Sequence, residues 1–488
     1  FVTERGEFLS RCVYALFELM GVHASFSLRG IYATFYLKNS GLQEKVLEIK
    51  FINHAGLIVY GNGVNLLIDP WTQGSSFNDG WDLLCASGDI DYKKLTHVWI
   101  SHEHPDHFSV SDVKKVINEK PDVIFLFQST KDNRVANFIQ KLGGNIVSLS
   151  NNKPYQFNET DFIRVIQCGS IDSLSIIYID GKTIVNMNDC VVGSELSKLK
   201  NAIENVKIDC LLTQFGYASF ISNPEDATAR KTASKKKLTQ MVEQISFFQP
   251  EFIIPFASYV YFSHVENFYM NDMQTDIAEV ARVVEAQNVI PIILYPNDIF
   301  TFERVDNTTA IARYEDDRKK IKPIHNAVSV DFTEIELSAE RYLNRLVKFH
   351  TRFGIYFVLL LSKLYRTFGK VPFDEVSIEI SDLSKTVNFH ILKGLRSYES
   401  SNSADIVLSS SSLKYALDYD WGWGTLMVNG RLGVKNKNAR ILGNRVFLLG
   451  SLRNQGISVI KDPSILLDRK NRINDLEVLD LFTEKKFR

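Results

Sequence analysis

Between residues 47 and 70 the apolar positions fall in short runs broken by Gly and Asn. Leu47-Glu-Ile-Lys-Phe-Ile, Gly56-Leu-Ile-Val-Tyr and Asn65-Leu-Leu-Ile-Asp each have the length and composition of a strand. The Gly61-Asn-Gly turn joining the last two is a hairpin signal, because Asn and Gly accept positive φ cheaply. Helical and strand periods then alternate. His97-Val-Trp-Ile predicts a strand, Ser109 to Glu119 a helix, Val123-Ile-Phe-Leu-Phe a strand, and Lys131 to Leu142 a helix. Leu174 to Ile179 and Thr183 to Met187 form a second hairpin around Asp180-Gly181. Asp209-Cys-Leu-Leu-Thr and Phe252-Ile-Ile-Pro-Phe read as strands flanking a long helix, Arg230 to Phe248. Hairpins first and α/β units afterwards fit an α/β two-sheet sandwich flanked by helices.

Around this core the pattern divides the chain into four parts. Residues 1–46 show helix-like spacing (Phe8, Val13, Leu16, Phe17, Met20) and then alternation from Ile31 to Leu37, and are expected to be an N-terminal extension. Residues 47–300 form the main domain. Residues 301–335, charged and turn-rich, are expected to be a connector. Residues 336–488 are expected to be a small α+β C-terminal domain with a long helix, Ser338 to Tyr365. The longest apolar run, Phe353 to Leu361, has nine residues. A membrane-spanning helix needs about 20, so this run reads as a buried helix and no membrane span is expected. The N-terminus shows no charged stretch followed by an apolar run and a cleavage site, so a cytoplasmic location is expected, although a start at Phe1 leaves room for an upstream segment.

Composition narrows the function classes. The 56 basic and 57 acidic side chains nearly cancel, which gives no reason to expect nucleic acid or an anionic membrane as the partner. Five scattered cysteines without a CxxC or CxH pair argue against a disulfide framework, a zinc ribbon or an iron–sulfur cluster. A small-molecule substrate is the expectation.

The chemistry concentrates in His102-Glu-His104-Pro-Asp106-His107, directly after the apolar strand. Three of the chain's 10 histidines fall within six positions, beside a carboxylate. Imidazole and carboxylate together suit zinc, iron or manganese, so one or two divalent ions are expected. The HxHxDH pattern resembles the signature of the metallo-β-lactamase superfamily, whose fold is an αββα sandwich with the metals at one end. Asn53-His54-Ala55-Gly56 and Leu67-Ile-Asp69-Pro-Trp71 resemble the N-terminal motifs of its branch with the ascorbate-phosphate lactonases. A closer similarity, over roughly residues 48–300, is to the C-terminal part of the CMP-N-acetylneuraminate hydroxylase family. It rests on Asp69-Pro-Trp-Thr-Gln-Gly with Gly80-Trp81, the 102–107 loop, and Asn186-Met-Asn-Asp189-Cys190. It continues through Gln214-Phe-Gly-Tyr-Ala-Ser and Pro255-Phe-Ala-Ser-Tyr with Ser263-His264. Weaker similarity reaches Ala404-Asp-Ile-Val-Leu and Trp423 to Arg431, a stretch that also resembles small sterol-carrier-like domains.

The resemblance implies roles residue by residue. His102 and His104 would hold a first metal, and Asp106, His107 and His264 a second. Asp189 would bridge them, while Asp69 and His54 would stand behind the ligands and fix their orientation. Asp106 would also orient the attacking water and take its proton. The family places a third histidine on the first metal, yet this chain has none between His107 and His264. Either Cys168 or Asp172 replaces it, or Cys168 is simply a small buried residue and the site is incomplete. The hydroxylase family also carries an N-terminal Rieske cluster held by two Cys and two His, and no CxH pairing occurs here. Three functions therefore stand open: a metal-dependent hydrolase of a phosphoester, lactone or amide, possible sugar or nucleotide conjugates included; a non-haem iron oxygenase component needing an external redox partner; or a scaffold protein with a degenerate site. The basic stretch Arg230, Lys231, Lys235, Lys236 and Lys237 reads more as a solvated helix face than as a substrate contact. Trp421 and Trp423 read as C-terminal core, and Tyr217, Tyr259 and Tyr261 as possible cleft walls.

Overall fold

The computed structural model describes residues 22–25, 34–37, 47–169, 171–190, 199, 203, 206–397 and 404–466. Two compact units divide at residue 46. In the first, Val22–Ser25 pairs antiparallel with Thr34–Leu37, the latter lying in the alternating stretch Ile31 to Leu37. The helix-like spacing from Phe8 to Met20 lies outside the described residues.

The second unit contains two seven-stranded mixed sheets. In spatial order the first runs Ile299–Phe300, Glu48–Asn53, Gly56–Gly61, Val64–Ile68, His97–Ile100, Ile124–Gln128 and Asn145–Leu149. The second runs Pro154–Gln156, Phe162–Cys168, Asp172–Ile179, Lys182–Asn186, Cys210–Thr213, Phe252–Pro255 and Ile290–Pro291. Leucine, isoleucine and valine from the facing sides of both sheets form one buried cluster, including Leu57, Leu66, Ile163, Ile177 and Leu211. The opposite face of the first sheet packs Ile58, Leu67 and Val98 against helices Val110–Glu119 and Arg134–Lys141. Helix on sheet, sheet on sheet is the metallo-β-lactamase sandwich that the sequence patterning and the resemblance anticipated.

Helix boundaries follow local chemistry. Ser109 caps the first helix by accepting from Asp112 N. The long helix Ala227–Phe248 starts three residues before the expected Arg230, because Asp226 accepts from Ala229 N and supplies the cap. Asn133 at φ 51° delays the second helix to Arg134. Residues 301–335, expected to be a connector, carry helix Thr308–Lys320, which buries Ala310 and Tyr314, four apart, in the sandwich core. That helix is mostly charged, so its short apolar stripe was hidden in composition.

The C-terminal part holds a five-stranded sheet, Gly394–Ser397, Lys385–His390, Glu375–Ile380, Ile406–Leu408 and Gly433–Val434. It packs on helix Phe332–Thr367, which breaks at Thr351 (φ 61°), and on four shorter helices. Its core is not separate: Trp71, Phe77, Trp81 and Phe220 of the sandwich join Tyr342, Phe389 and Trp423 in one cluster. Trp423 stacks on Phe447 and donates to Asn444 Oδ1 at 2.7 Å, as a core residue should, while Trp421 is half exposed.

The seam between the two parts is polar and specific. Asn429 donates to Phe77 O (2.8 Å), Asn267 donates to Asn429 O (2.6 Å), and Arg431 Nη1 donates to Asn78 O (2.8 Å). These bonds hold Phe77, Asn78 and Asp79, three consecutive residues with φ between 50° and 58°. Left-handed backbone at non-glycine residues costs roughly 1–2 kcal/mol each, so the turn persists because its surroundings fix it.

Candidate metal centre

Several loops converge at one edge of the sandwich. The 102–107 loop leaves the end of strand His97–Ile100, Asp189 follows Lys182–Asn186, and Asp172 opens the antiparallel neighbour strand at the same end. His54 sits in the tight turn between strands Glu48–Asn53 and Gly56–Gly61, at φ 47°.

Two groups of metal-ligating side chains result, His54 with Asp106 and His107, and His102 with His104 and Asp189. Within each group the donor atoms all lie within 4.8 Å of one another. Asp189 links the groups: Oδ1 lies 3.2 Å from His107 Nε2 and Oδ2 3.7 Å from His102 Nε2. His102 Nε2 and His104 Nδ1 approach to 2.9 Å, a spacing two imidazole ligands of one ion can adopt at Zn–N distances of about 2.0–2.1 Å.

The atoms behind the ligands fix their tautomers. Asp69 is fully buried and accepts from Ser101 N (2.7 Å), Ser101 Oγ (2.6 Å) and His107 Nδ1 (2.8 Å). With Nδ1 donating to a carboxylate, His107 turns Nε2 toward the centre. Burial lowers its pKa, but the Asp106 and Asp189 carboxylates outweigh this and raise it well above the usual imidazole range, so a cation bound there would take the place of the Nε2 proton. Burial holds the Asp69 carboxyl above the usual carboxylate range, against the opposing pull of His107 and Ser101. His102 Nδ1 contacts Ser101 Oγ at 2.9 Å, leaving its Nε2 to the centre as well.

The residues present fit a cation. His54 Nδ1 and Asp106 Oδ1 are both buried without a hydrogen-bond partner among the described residues. Stranding two such atoms in low dielectric is costly unless something positive meets them. The electrostatics agree. Burial opposes ionisation of Asp189, yet His107, and after it His102 and His104, hold its carboxyl well below the usual range. Burial likewise opposes ionisation of Asp106, and His107 and His54 outweigh it. His102 is pushed down by burial and by the neighbouring imidazoles, so it stays neutral and ligating.

Three expectations change on inspection. His264 belongs to neither group. Its Nδ1 accepts from Glu266 N at 3.2 Å, it lies 3.3 Å from Glu266 Oε2, and its ring also donates to the carbonyl of Asn326. The reason is topological: strand Val260–Phe262 pairs with Trp81–Leu83 in a separate ladder, and the chain then bridges to His325. His54, expected behind the ligands, stands in the ligand group instead, with Nε2 3.2 Å from Asp106 Oδ2. Cys168 also stays out of both groups, directing Sγ at Ile166 O (3.7 Å) and pairing with Cys190. Asp172 is the replacement candidate that reaches the site, with Oδ1 3.8 Å from His102 Nε2.

The basic helix face also resolves differently. Arg230 is buried in an ion pair with Asp272 (2.7 Å). Lys237 turns inward and donates to Gln214 Oε1 at 3.2 Å, and Gln214 in turn donates to Asp189 Oδ1. Three consecutive lysines, Lys235 to Lys237, point in three directions around a helix, so only the Gln214 motif beside the strand end could have singled out Lys237. Phe77, held from the C-terminal part, sets its ring edge-on to His104 at 5.9 Å between centroids.

Residues 48–257 match the family model described as the beta-lactamase superfamily domain. Among curated proteins the chain is similar to the cytidine monophosphate-N-acetylneuraminic acid hydroxylase of Danio rerio, 24% identical over 249 residues. That match covers 48% of this chain and 42% of the relative. The Xenopus laevis hydroxylase is 23% identical over 255 residues, 49% of this chain and 43% of the relative. The chain therefore spans about two-fifths of the length of the curated relatives it matches. Among solved structures it is similar to Igni18, a metallo hydrolase from Ignicoccus hospitalis, at 16% identity and TM-score 0.39, over 53% of this chain and 100% of that one. It is also similar to CmlA, a diiron beta-hydroxylase from Streptomyces venezuelae, at 14% identity and TM-score 0.38, over 55% of each chain. Among the described residues no helix is long and apolar enough to cross a membrane. Residues 48–257, with their two facing sheets and the histidine–aspartate groups at one edge, form a beta-lactamase superfamily domain of the metallo-β-lactamase fold.

Proposed function

We propose that the chain is a metal-dependent hydrolase acting on a phosphoester, lactone or amide of a small molecule. The observation that carries this reading is the pair of three-residue ligand groups joined through Asp189. His102, His104, Asp189 and Asp172 would hold one divalent ion, and His54, Asp106, His107 and Asp189 the other. Bound there, divalent ions supply Lewis acidity and bring the pKa of water from 15.7 to around 7.

The protein's own groups do the rest. Asp106 Oδ2 faces His54 while its buried Oδ1 lacks a partner, which leaves that oxygen to orient a water and take its proton. Lys237, through Gln214, fixes the rotamer of Asp189 and brings positive charge to an otherwise acidic pocket, which favours an anionic substrate. Phe77 and Trp71 flank the imidazoles of His104 and His54 and limit water access from that side.

A second reading, a non-haem iron oxygenase component supplied by an external electron donor, is favoured by the purely imidazole and carboxylate ligands and by the hydroxylase relatives. One experiment separates them. The purified full chain is loaded with zinc, manganese or iron(II) and assayed on bis(p-nitrophenyl) phosphate, a γ-lactone and an anilide, with oxygen consumption recorded under a chemical reductant. Turnover with zinc or manganese and no oxygen uptake supports the hydrolase. Substrate-independent inactivity on all three, with reductant-driven oxygen uptake on iron, overturns it in favour of the oxygenase.

A further inference from the structure

A cavity of about 470 Å³ lies beside helix Ile277–Glu285, walled by Phe215, Tyr259, Tyr314 and Ile277, with Arg318 and Thr275 among its polar lining. Small-molecule pockets run from about 300 to 1,000 Å³ with mostly apolar walls and a few placed polar groups, so the size is that of a ligand site. The walls are buried: Phe215, Tyr259 and Tyr314 are each no more than 4% exposed.

The polar groups sort into committed and uncommitted. Thr275 Oγ1 is bonded to Ser234 Oγ at 2.7 Å, and the Asn271 amide donates to the carbonyls of Phe262 and Phe268. Gln274 donates to Tyr217 O, Asp272 pairs with Arg230, and Asp276 caps its helix through Ala278 N. Arg318 differs. Asp276 attracts it electrostatically, yet its Nη1 is buried and has no hydrogen-bond partner among the described residues. A buried guanidinium donor left unpaired is costly, and carboxylates and phosphates are the groups that satisfy it best.

Charge decides between those two. With Asp272 already neutralised by Arg230, the lining carries Arg318 and Lys319 against Asp276 and Glu315. These charges cancel, so a phosphate dianion would bring twice the uncompensated charge of a monocarboxylate and is the more disfavoured of the two. We infer that this cavity binds a small monocarboxylate with an apolar or aromatic body, its carboxylate on Arg318 and its body against Phe215, Tyr259 and Tyr314. The site is distinct from the two metal-ligating groups and does not depend on the hydrolase reading.

The test uses fluorine NMR on the full chain with 4-fluorobenzoate, its neutral analogue 4-fluorobenzyl alcohol, and inorganic phosphate as competitor. The expected result is saturable benzoate binding that weakens by about tenfold or more in Arg318→Met, is retained in His104→Ala, and is not displaced by phosphate. Should Arg318→Met fail to fold, Arg318→Lys and the wild-type preference for benzoate over the alcohol decide. Equal affinity for the alcohol, unchanged binding in the Arg318 variant, or loss in His104→Ala would each overturn the assignment, as would the absence of saturable binding.

Discussion

Replacing Asp69 by asparagine changes one atom and tests the whole ligand arrangement. In the wild type, Oδ1 accepts from Ser101 N while Oδ2 accepts from both Ser101 Oγ and His107 Nδ1. An amide nitrogen in the Oδ2 position can be met by Ser101 Oγ, which rotates to accept. His107 Nδ1–H cannot rotate, so the ring must move its proton to Nε2, the atom it turns toward Asp189. The lost charge-assisted hydrogen bond is worth about 1.5–3 kcal/mol, and outer partners of metal-ligating histidines are typically worth 10–100-fold in affinity. Asp69→Asn should therefore weaken the ion held by His54, Asp106 and His107 by about 10–100-fold and leave the His102 and His104 ion closer to wild type. Folding stability should fall less, because the substitution also removes a buried charge whose carboxyl is already held high by burial. Competition with a chromophoric chelator resolves the two binding phases. Asp112→Asn is the control: that carboxylate is equally buried and accepts from Thr72 N and Ser109 Oγ, with no histidine involved. Identical chelator titrations for Asp69→Asn and wild type would refute the reasoning.

Other expectations follow from the same geometry. His54→Ala should reduce metal stoichiometry from two ions per chain to one, whereas His264→Ala should keep two, read by plasma mass spectrometry; the reverse pattern would restore His264 as a ligand. Asn429→Ala removes the bond that pins Phe77 and should cost about 1–3 kcal/mol in denaturant melts while lowering catalytic turnover more than metal content, since Phe77 abuts His104 without ligating. His97, packed against Tyr155 and Phe157, has its pKa lowered to about 4 by burial. Its neutral form is favoured by folding, so its contribution is intact above the unfolded value near 6.5 and is lost as pH falls from there toward 4. After discounting for partial solvent access this amounts to about 1–2 kcal/mol. His97→Phe should flatten the fall in stability between those pH values, and an unchanged pH slope would contradict it.

Much of this architecture was legible in the residues because both sheets use simple periods. Asn62 and Gly63, at φ 45° and 79°, form the hairpin turn that Gly61-Asn-Gly predicts. Strand His97–Ile100 and the ligand loop after it fall where apolar and polar runs change over. Strand Phe162–Cys168 was not foreseen, because Arg164 and Gln167 interrupt its apolar residues on the exposed side. Helix Ile277–Glu285 was short enough to pass as loop. The site was half legible. Ligands supplied by one loop are adjacent in sequence, whereas the partner from elsewhere depends on chain path. His54 and His264 are both single histidines near a strand end, and only the pairing of Val260–Phe262 with Trp81–Leu83 tells which one turns inward. Lys237 shows the same limit, since its direction depends on where helix Ala227–Phe248 rests on the sheet.

The proposed function rests on two cations sharing Asp189 at the edge of the sandwich. Anomalous diffraction at the metal edge, on crystals of the purified full chain and of Asp189→Ala, measures it directly. Two peaks about 3.5–4 Å apart, one between His102 and His104 and one between His54 and His107, with at least one lost in the variant, are the predicted result. Full-occupancy peaks elsewhere, or none within reach of these imidazoles, would contradict it.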